Sequence, residues 1–187
     1  SRLPAQIYVG GSAAGCPDAP DAACHFFGPD GLERAVAAAH AGSEVLLSGS
    51  DSGVETQFIA NGIVIDRPLS LKGAPSAVRG AGFVTNTEEA RFGGMLVVTQ
   101  AEGVRIEGLG FLCQQGCHAA VWFDPGYANA PGRDDAAADG VIDRCYAHAF
   151  SSSSVEAAFW ISHRGQLRNS VAAGHFEALA QVSAVDA

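Results

Sequence analysis

The chain of 187 residues carries 48% apolar and 17% charged side chains, so one domain, or one piece of a larger one, has the material for a sizeable core. A net charge of −9 excludes the basic face that nucleic acid or an anionic membrane surface requires, and no apolar run reaches the ~18 residues of a transmembrane helix. Twenty-three glycines against a single methionine make a turn-rich, β-leaning composition.

From the N-terminus, "AQIYVGG" (residues 5–11) reads as a strand, followed by a loop holding Cys16 and Cys24. In "PDGLERAVAAAHAG" (29–42), Leu32, Ala35, Val36 and Ala39 recur at i, i+3, i+4 and i+7, the helical period. Asp30 with Glu33 three residues on has the spacing of a capping box, and Gly42 supplies a stop, so a helix is predicted over 30–41. "EVLLSG" (44–49) and "IVIDRPLSLKG" (63–73) read as two further strands with Gly or Pro turns at their edges.

Downstream the chain repeats itself. "IEGLGF" from Ile106, "IDRCYA" from Ile142 and "LRNSVA" from Leu167 superpose: a large aliphatic, a charged residue, then Gly, Arg or Asn, then a residue of the buried type. Each is preceded by a second apolar run, "MLVVT" from Met95, "AVWFD" from Ala120 and "AFWIS" from Ala158, and a fourth, "LAQVS", begins at Leu179. The steps between these runs are 25, 38 and 21 residues, and the long step holds the polar segment 125–140, read as an inserted loop. Short strands recurring at this interval, with insertions confined to turns, predict a solenoid: no single turn buries its apolar side alone, so successive turns stack and share one core.

The cysteines fall as Cys16/Cys24, Cys113/Cys117 and a lone Cys145. The short spacings favour two local disulfides and an oxidising compartment, while Cys145, in an apolar run, is expected to be a buried thiol. His25 and His118 directly follow Cys24 and Cys117, which leaves a metal site as the competing reading, although neither pair has the C-x2-C spacing of a zinc knuckle.

A leading "IYV" strand, a cysteine loop, the helix-then-strand "GLERAVAAAHAGSEVLL" and "IVIDRPLSLKGA" together resemble the N-terminal part of right-handed parallel β-helix proteins, the group of pectate lyases, pectin esterases and many bacterial surface proteins. The resemblance implies an all-β, right-handed, single-stranded parallel β-helix over 1–187. Residues 1–42 would form the N-terminal strand, cysteine loop and capping helix, and 43–187 the coils. "ALAQVSAVDA" (178–187) reads as the opening of another coil without a cap, so the chain is expected to be the N-terminal part of a longer, exported protein. These motifs belong to a fold that hosts lyases, hydrolases, epimerases, adhesins and inert spacers.

Stacking the repeats predicts where chemistry could sit. If Val121, Phe123, Phe159 and Ile161 point inward, Trp122 and Trp160 share the outward face one coil apart and form an aromatic platform for sugar rings. The opposing expectation is that segment 125–140 covers them, because strands apolar on both faces are usually covered on both. Asp124 and His163 flank this column, with Arg164 beside them. A second outward column holds Glu107, Asp143 and Arg168, with Gly108, Arg144 and Asn169 at the turn. By the same resemblance, a polysaccharide lyase would hold calcium on Asp124 and Asp143 and use Arg144, Arg164 or Arg168 as the base, a demanding role for a guanidinium. A charged outward column is more often a solvated face. Asp134, Asp135 and Asp139 are candidate calcium ligands on the inserted loop, without the alternating spacing of a dedicated one. The leading functional expectation is a non-enzymatic extracellular or cell-surface module of structural or adhesin type, binding glycans or a surface partner. The alternative is a carbohydrate-active enzyme, a polysaccharide lyase or pectin-esterase-like protein, completed by later coils.

Overall fold

The computed structural model describes residues 5–13, 16, 19, 23–48, 56–73, 82–87, 94–114, 116–123, 140–150, 155–162 and 165–183. Strands β1 (Gln6–Gly10) and β2 (Phe26–Phe27) precede helix α1 (Gly31–Ala38). Five coils of three strands follow. The first is β3 (Glu44–Leu47), β4 (Thr56–Ile59) and β5 (Ile63–Ile65), and the second β6 (Ser70–Gly73), β7 (Gly82–Thr85) and β8 (Met95–Thr99). The third is β9 (Arg105–Glu107), β10 (Gly110–Cys113) and β11 (Ala119–Phe123), and the fourth β12 (Val141–Asp143), β13 (Tyr146–Ala149) and β14 (Val155–Ser162). The last is β15 (Gln166–Arg168), β16 (Val171–Gly174) and β17 (Phe176–Ser183).

Each strand pairs in parallel with its counterpart one coil away, so three sheets wrap one core: β15-β12-β9-β6-β3-β1-β2, β16-β13-β10-β7-β4 and β17-β14-β11-β8-β5. This is a parallel β-helix solenoid. Its interior is built of columns. On the first sheet Ile7, Val45, Leu71, Ile106, Ile142 and Leu167 are successive register partners. Phe58, Val84, Phe111, Ala147 and Ala172 line the second, and Ile63, Val97, Val121, Phe159 and Ala180 the third. The three columns meet in one cluster, which is the shared burial that the repeat predicted.

The N-terminal end is closed by α1, whose Leu32, Ala35 and Val36, followed by Ala39, enter the same cluster. The helix is shorter than the sequence predicted and its start differs. Asp30 makes no side-chain capping bond; its carboxylate pairs instead with Arg34 one turn on, 3.1 Å away. The chain is already extended at Ala39 (ψ 150°), where Arg67 donates to the Ala39 carbonyl at 2.8 Å. Gly42, with φ +82°, makes the turn beyond the helix rather than stopping it. "IVIDRPLSLKG" also differs: it is two strands on different sheets, parted at residues 66–69 around Pro68, which cannot donate to a ladder.

Candidate functional site

The outward side of the first sheet is an ionic ladder. Glu107, Asp143 and Arg168 are register partners, as the repeat alignment predicted, and Lys72 extends the column one coil earlier. Lys72 bridges Glu44 to Glu107, approaching the latter to 4.0 Å. Arg105 lies 3.1 Å and Arg144 3.8 Å from Glu107, and Arg144 also faces Asp143 at 3.4 Å. The other Asp143 oxygen accepts from the Asn169 amide at 2.9 Å, and Arg168 donates to the Gln166 side chain. The Lys72 ammonium, with the Gln6 amide, holds the Glu44 carboxyl below its usual range. Both Asp143 oxygens thus face donors of neighbouring coils, and Arg144 faces two carboxylates, surroundings that hold a guanidinium charged rather than free it to act as a base.

Arg144 and Asn169 are the described non-glycine residues with positive φ, at 53° and 46°, and Gly108 occupies the equivalent corner at 64°. The left-handed corner is what the Gly/Arg/Asn position of the repeat encodes. It costs an arginine about 1–2 kcal/mol, while ion pairs of a side chain two-thirds exposed return little. Arg144→Gly is therefore expected to raise the unfolding free energy by about 0.5 kcal/mol or more after the entropy of the added glycine is subtracted. Arg144→Ala, which keeps the strained corner, is expected to show no such gain. Urea unfolding of both variants separates the two outcomes.

On the third sheet Trp122 and Trp160 are register partners on the outward face, while Val121, Phe123, Phe159 and Ile161 enter the core. The indoles are tilted against each other, with centroids 5.7 Å apart. They pack on Met95, Val98 and Ala119 and are half-buried. Both ring nitrogens are sealed from solvent, so the polar edges that would orient a sugar hydroxyl are turned into the protein. The sequence alignment of this sheet slips by one residue at β8: Val97, not Leu96, pairs with Val121. All five residues of β8 are buried, leaving no alternation by which its register could be read. Asp124, His163, Arg164, the acidic residues 134, 135 and 139, and segment 125–139 lie outside the described residues. The nominated residues that are described do not converge: Asp143, Arg144 and Arg168 lie on or beside the first sheet, and the indoles on the third.

The second sheet carries a constellation that the sequence reading passed over. Its outward positions run Gln57, Phe83, Gly110, Tyr146 and Val171 in one column. Ile59, Thr85, Leu112, His148 and Ala173 form the other. No Asp, Glu, Lys or Arg stands among them. Along "YAHAF", Tyr146, His148 and Phe150 alternate with the buried Ala147 and Ala149, a strand period that was legible in the sequence. Tyr146 Oη lies 3.1 Å from His148 Nδ1, and the Phe150 ring meets the imidazole edge-on at 4.3 Å between centroids.

Cys16–Cys24 and Cys113–Cys117 are disulfide-bonded, and Cys145 is free and buried, as the spacings indicated. Burial pushes the Cys145 thiol up to about 11, so it stays protonated at neutral pH and is no nucleophile. Two disulfides suggest an extracytoplasmic protein, and no described helix is long and apolar enough to cross a membrane. Among the described residues no group of three or more His, Cys, Asp or Glu side chains is placed to hold a metal ion. No family model, no curated protein and no solved structure matches the chain.

Proposed function

We propose that the chain is a secreted or cell-surface module of the right-handed, pectate-lyase-like β-helix group, of structural or adhesin type, that contacts glycans through the side of its solenoid. One observation carries this reading: the charged column of the first sheet is paired within itself, coil to coil, from Glu44 through Lys72 and Glu107 to Arg144 and Asp143. Side chains committed in this way hold neighbouring rungs in register and present a solvated wall rather than an acid and a base poised over a substrate. The disulfides and the continuous core columns support a rigid, exported scaffold.

The experiment has two readouts on the same protein. Incubation with a panel of acidic polysaccharides is expected to produce no unsaturated-uronate absorbance. A glycan array is expected to show saturable binding. Absorbance that grows with time would replace the module by a lyase; a silent array would remove glycan contact from the reading.

A further inference from the structure

We infer that the outward face of the second sheet is a neutral-saccharide site, with Tyr146 and His148 as its floor and Phe150 as its wall. This rests on the glycan-contact reading above and moves the contact away from the indole pair. The geometry begins with two rings whose centroids lie 6.3 Å apart with planes only 25° from parallel. Rings at that separation stack face to face or lie side by side, and the 3.1 Å contact between the phenol oxygen and the imidazole nitrogen decides between them. The oxygen projects from the phenol edge within the ring plane, so it reaches the imidazole only if the two rings lie edge to edge. The hydrogen bond fixes them as one nearly flat surface two rings long. Phe150, inclined 64° to the imidazole, rises from its end.

The surface is open: Tyr146 is 39% and Phe150 61% exposed, and Val171, the register partner of Tyr146 on the next coil, is 59% exposed. On the other side the neighbours are small or low. Gly110 partners Tyr146, and a Cβ there would collide with the Phe83 ring. Leu112, beside His148, is nearly buried. A pyranose has one face of axial C–H groups that is apolar and a rim of hydroxyls. The floor offers it an aromatic surface, whose negative π-face attracts polarised C–H groups, bordered by a phenol oxygen and imidazole nitrogens that can meet the rim. With no carboxylate, ammonium or guanidinium at the described outward positions, nothing on this face pairs with a uronate, so the ligand is a neutral sugar. The open patch is also small, far below the ~800 Å² per partner of a stable protein interface.

The test titrates neutral oligosaccharides of glucose, xylose and mannose, and an oligogalacturonate, into the full chain, observed by calorimetry and by ring-proton shifts. At least one neutral oligosaccharide is expected to bind in preference to the oligogalacturonate. Tyr146→Ala and Phe150→Ala should each weaken it about tenfold or more, as loss of a stacking ring does. Both variants replace exposed rings and should melt within about 3 °C of the parent. Trp160→Ala should bind as the parent does. Binding of a neutral sugar that survives Tyr146→Ala and Phe150→Ala overturns this site while leaving glycan contact standing, and preference for the oligogalacturonate overturns the neutral chemistry. No binding by the parent overturns both. No binding together with self-association lost in Phe150→Ser would assign the face to a second copy of the chain and overturn the site as well.

Discussion

Phe111→Ala is expected to lower the unfolding free energy by about 3–5 kcal/mol, read as a fall in the urea midpoint with unchanged slope. Phe111 is fully buried at the centre of the second sheet's inward column. The partners below it on β13 and β16 are Ala147 and Ala172, so its ring fills space that the next rungs leave open. It meets Phe159 of the third sheet edge-on, centroids 6.4 Å apart and planes at 81°, the geometry that aromatic quadrupoles favour. Truncation removes that contact and opens a cavity between sheets whose spacing is set by backbone hydrogen bonds on every side. Collapse around it is therefore limited, and the loss belongs at the upper end of the range. Phe27→Ala is the control: that ring is 45% exposed, and its loss should stay near 0.5 kcal/mol. Equal effects from the two would refute the packed-column account of the core.

Gly73→Ala is expected to cost about 3 kcal/mol, several times more than Gly108→Ala, although the two glycines occupy the same corner on neighbouring coils. A Cβ on Gly73 would fall inside the van der Waals radius of the Gly108 carbonyl oxygen and 3.0 Å from its carbon. Both are backbone atoms, so no rotamer change gives relief. Rungs β6 and β9 must separate, which loosens the pairing of Lys72 with Glu107 and of Leu71 with Ile106. Gly108 has open space around its Cβ position and only the left-handed φ of 64° to satisfy, so alanine there should cost about 1 kcal/mol. Thermal unfolding of both variants checks the order. If Gly108→Ala proves the worse, the corner is governed by dihedral strain and the close approach of the two rungs is of no consequence.

The parts of this architecture that the sequence displayed were those where alternation and spacing both spoke. Ile106, Ile142 and Leu167 are each flanked by polar residues, so their superposition admitted one register, and the structure has it. The Trp122–Trp160 pairing was fixed by a shared pattern of neighbours. Met95–Thr99 defeated the same reasoning, because a run apolar at every position carries no phase. Thr56–Ile59 and Gly82–Thr85 went unread, since each contributes little more than one large buried residue, Phe58 and Val84, to the core. The sites divided in the same way. Both disulfides followed from loop length, and the charged column from period and spacing. Tyr146, His148 and Phe150 were hidden by the habit of reading aromatic residues as core: here Ala147 and Ala149 face inward and the rings face out.

The stacking of rungs also has a mechanical side. Every hydrogen bond between coils points along the long axis, and each coil rests only on its two neighbours. Tension along that axis therefore cannot be shared by the whole body and falls on one seam at a time. The seam beside α1 is bolted by the helix and lies close to the Cys16–Cys24 link, whereas the rung of β15, β16 and β17 packs its apolar residues on one side only. Under load the molecule should unspool from that rung inward, releasing length in discrete steps while the remaining turns keep their shape.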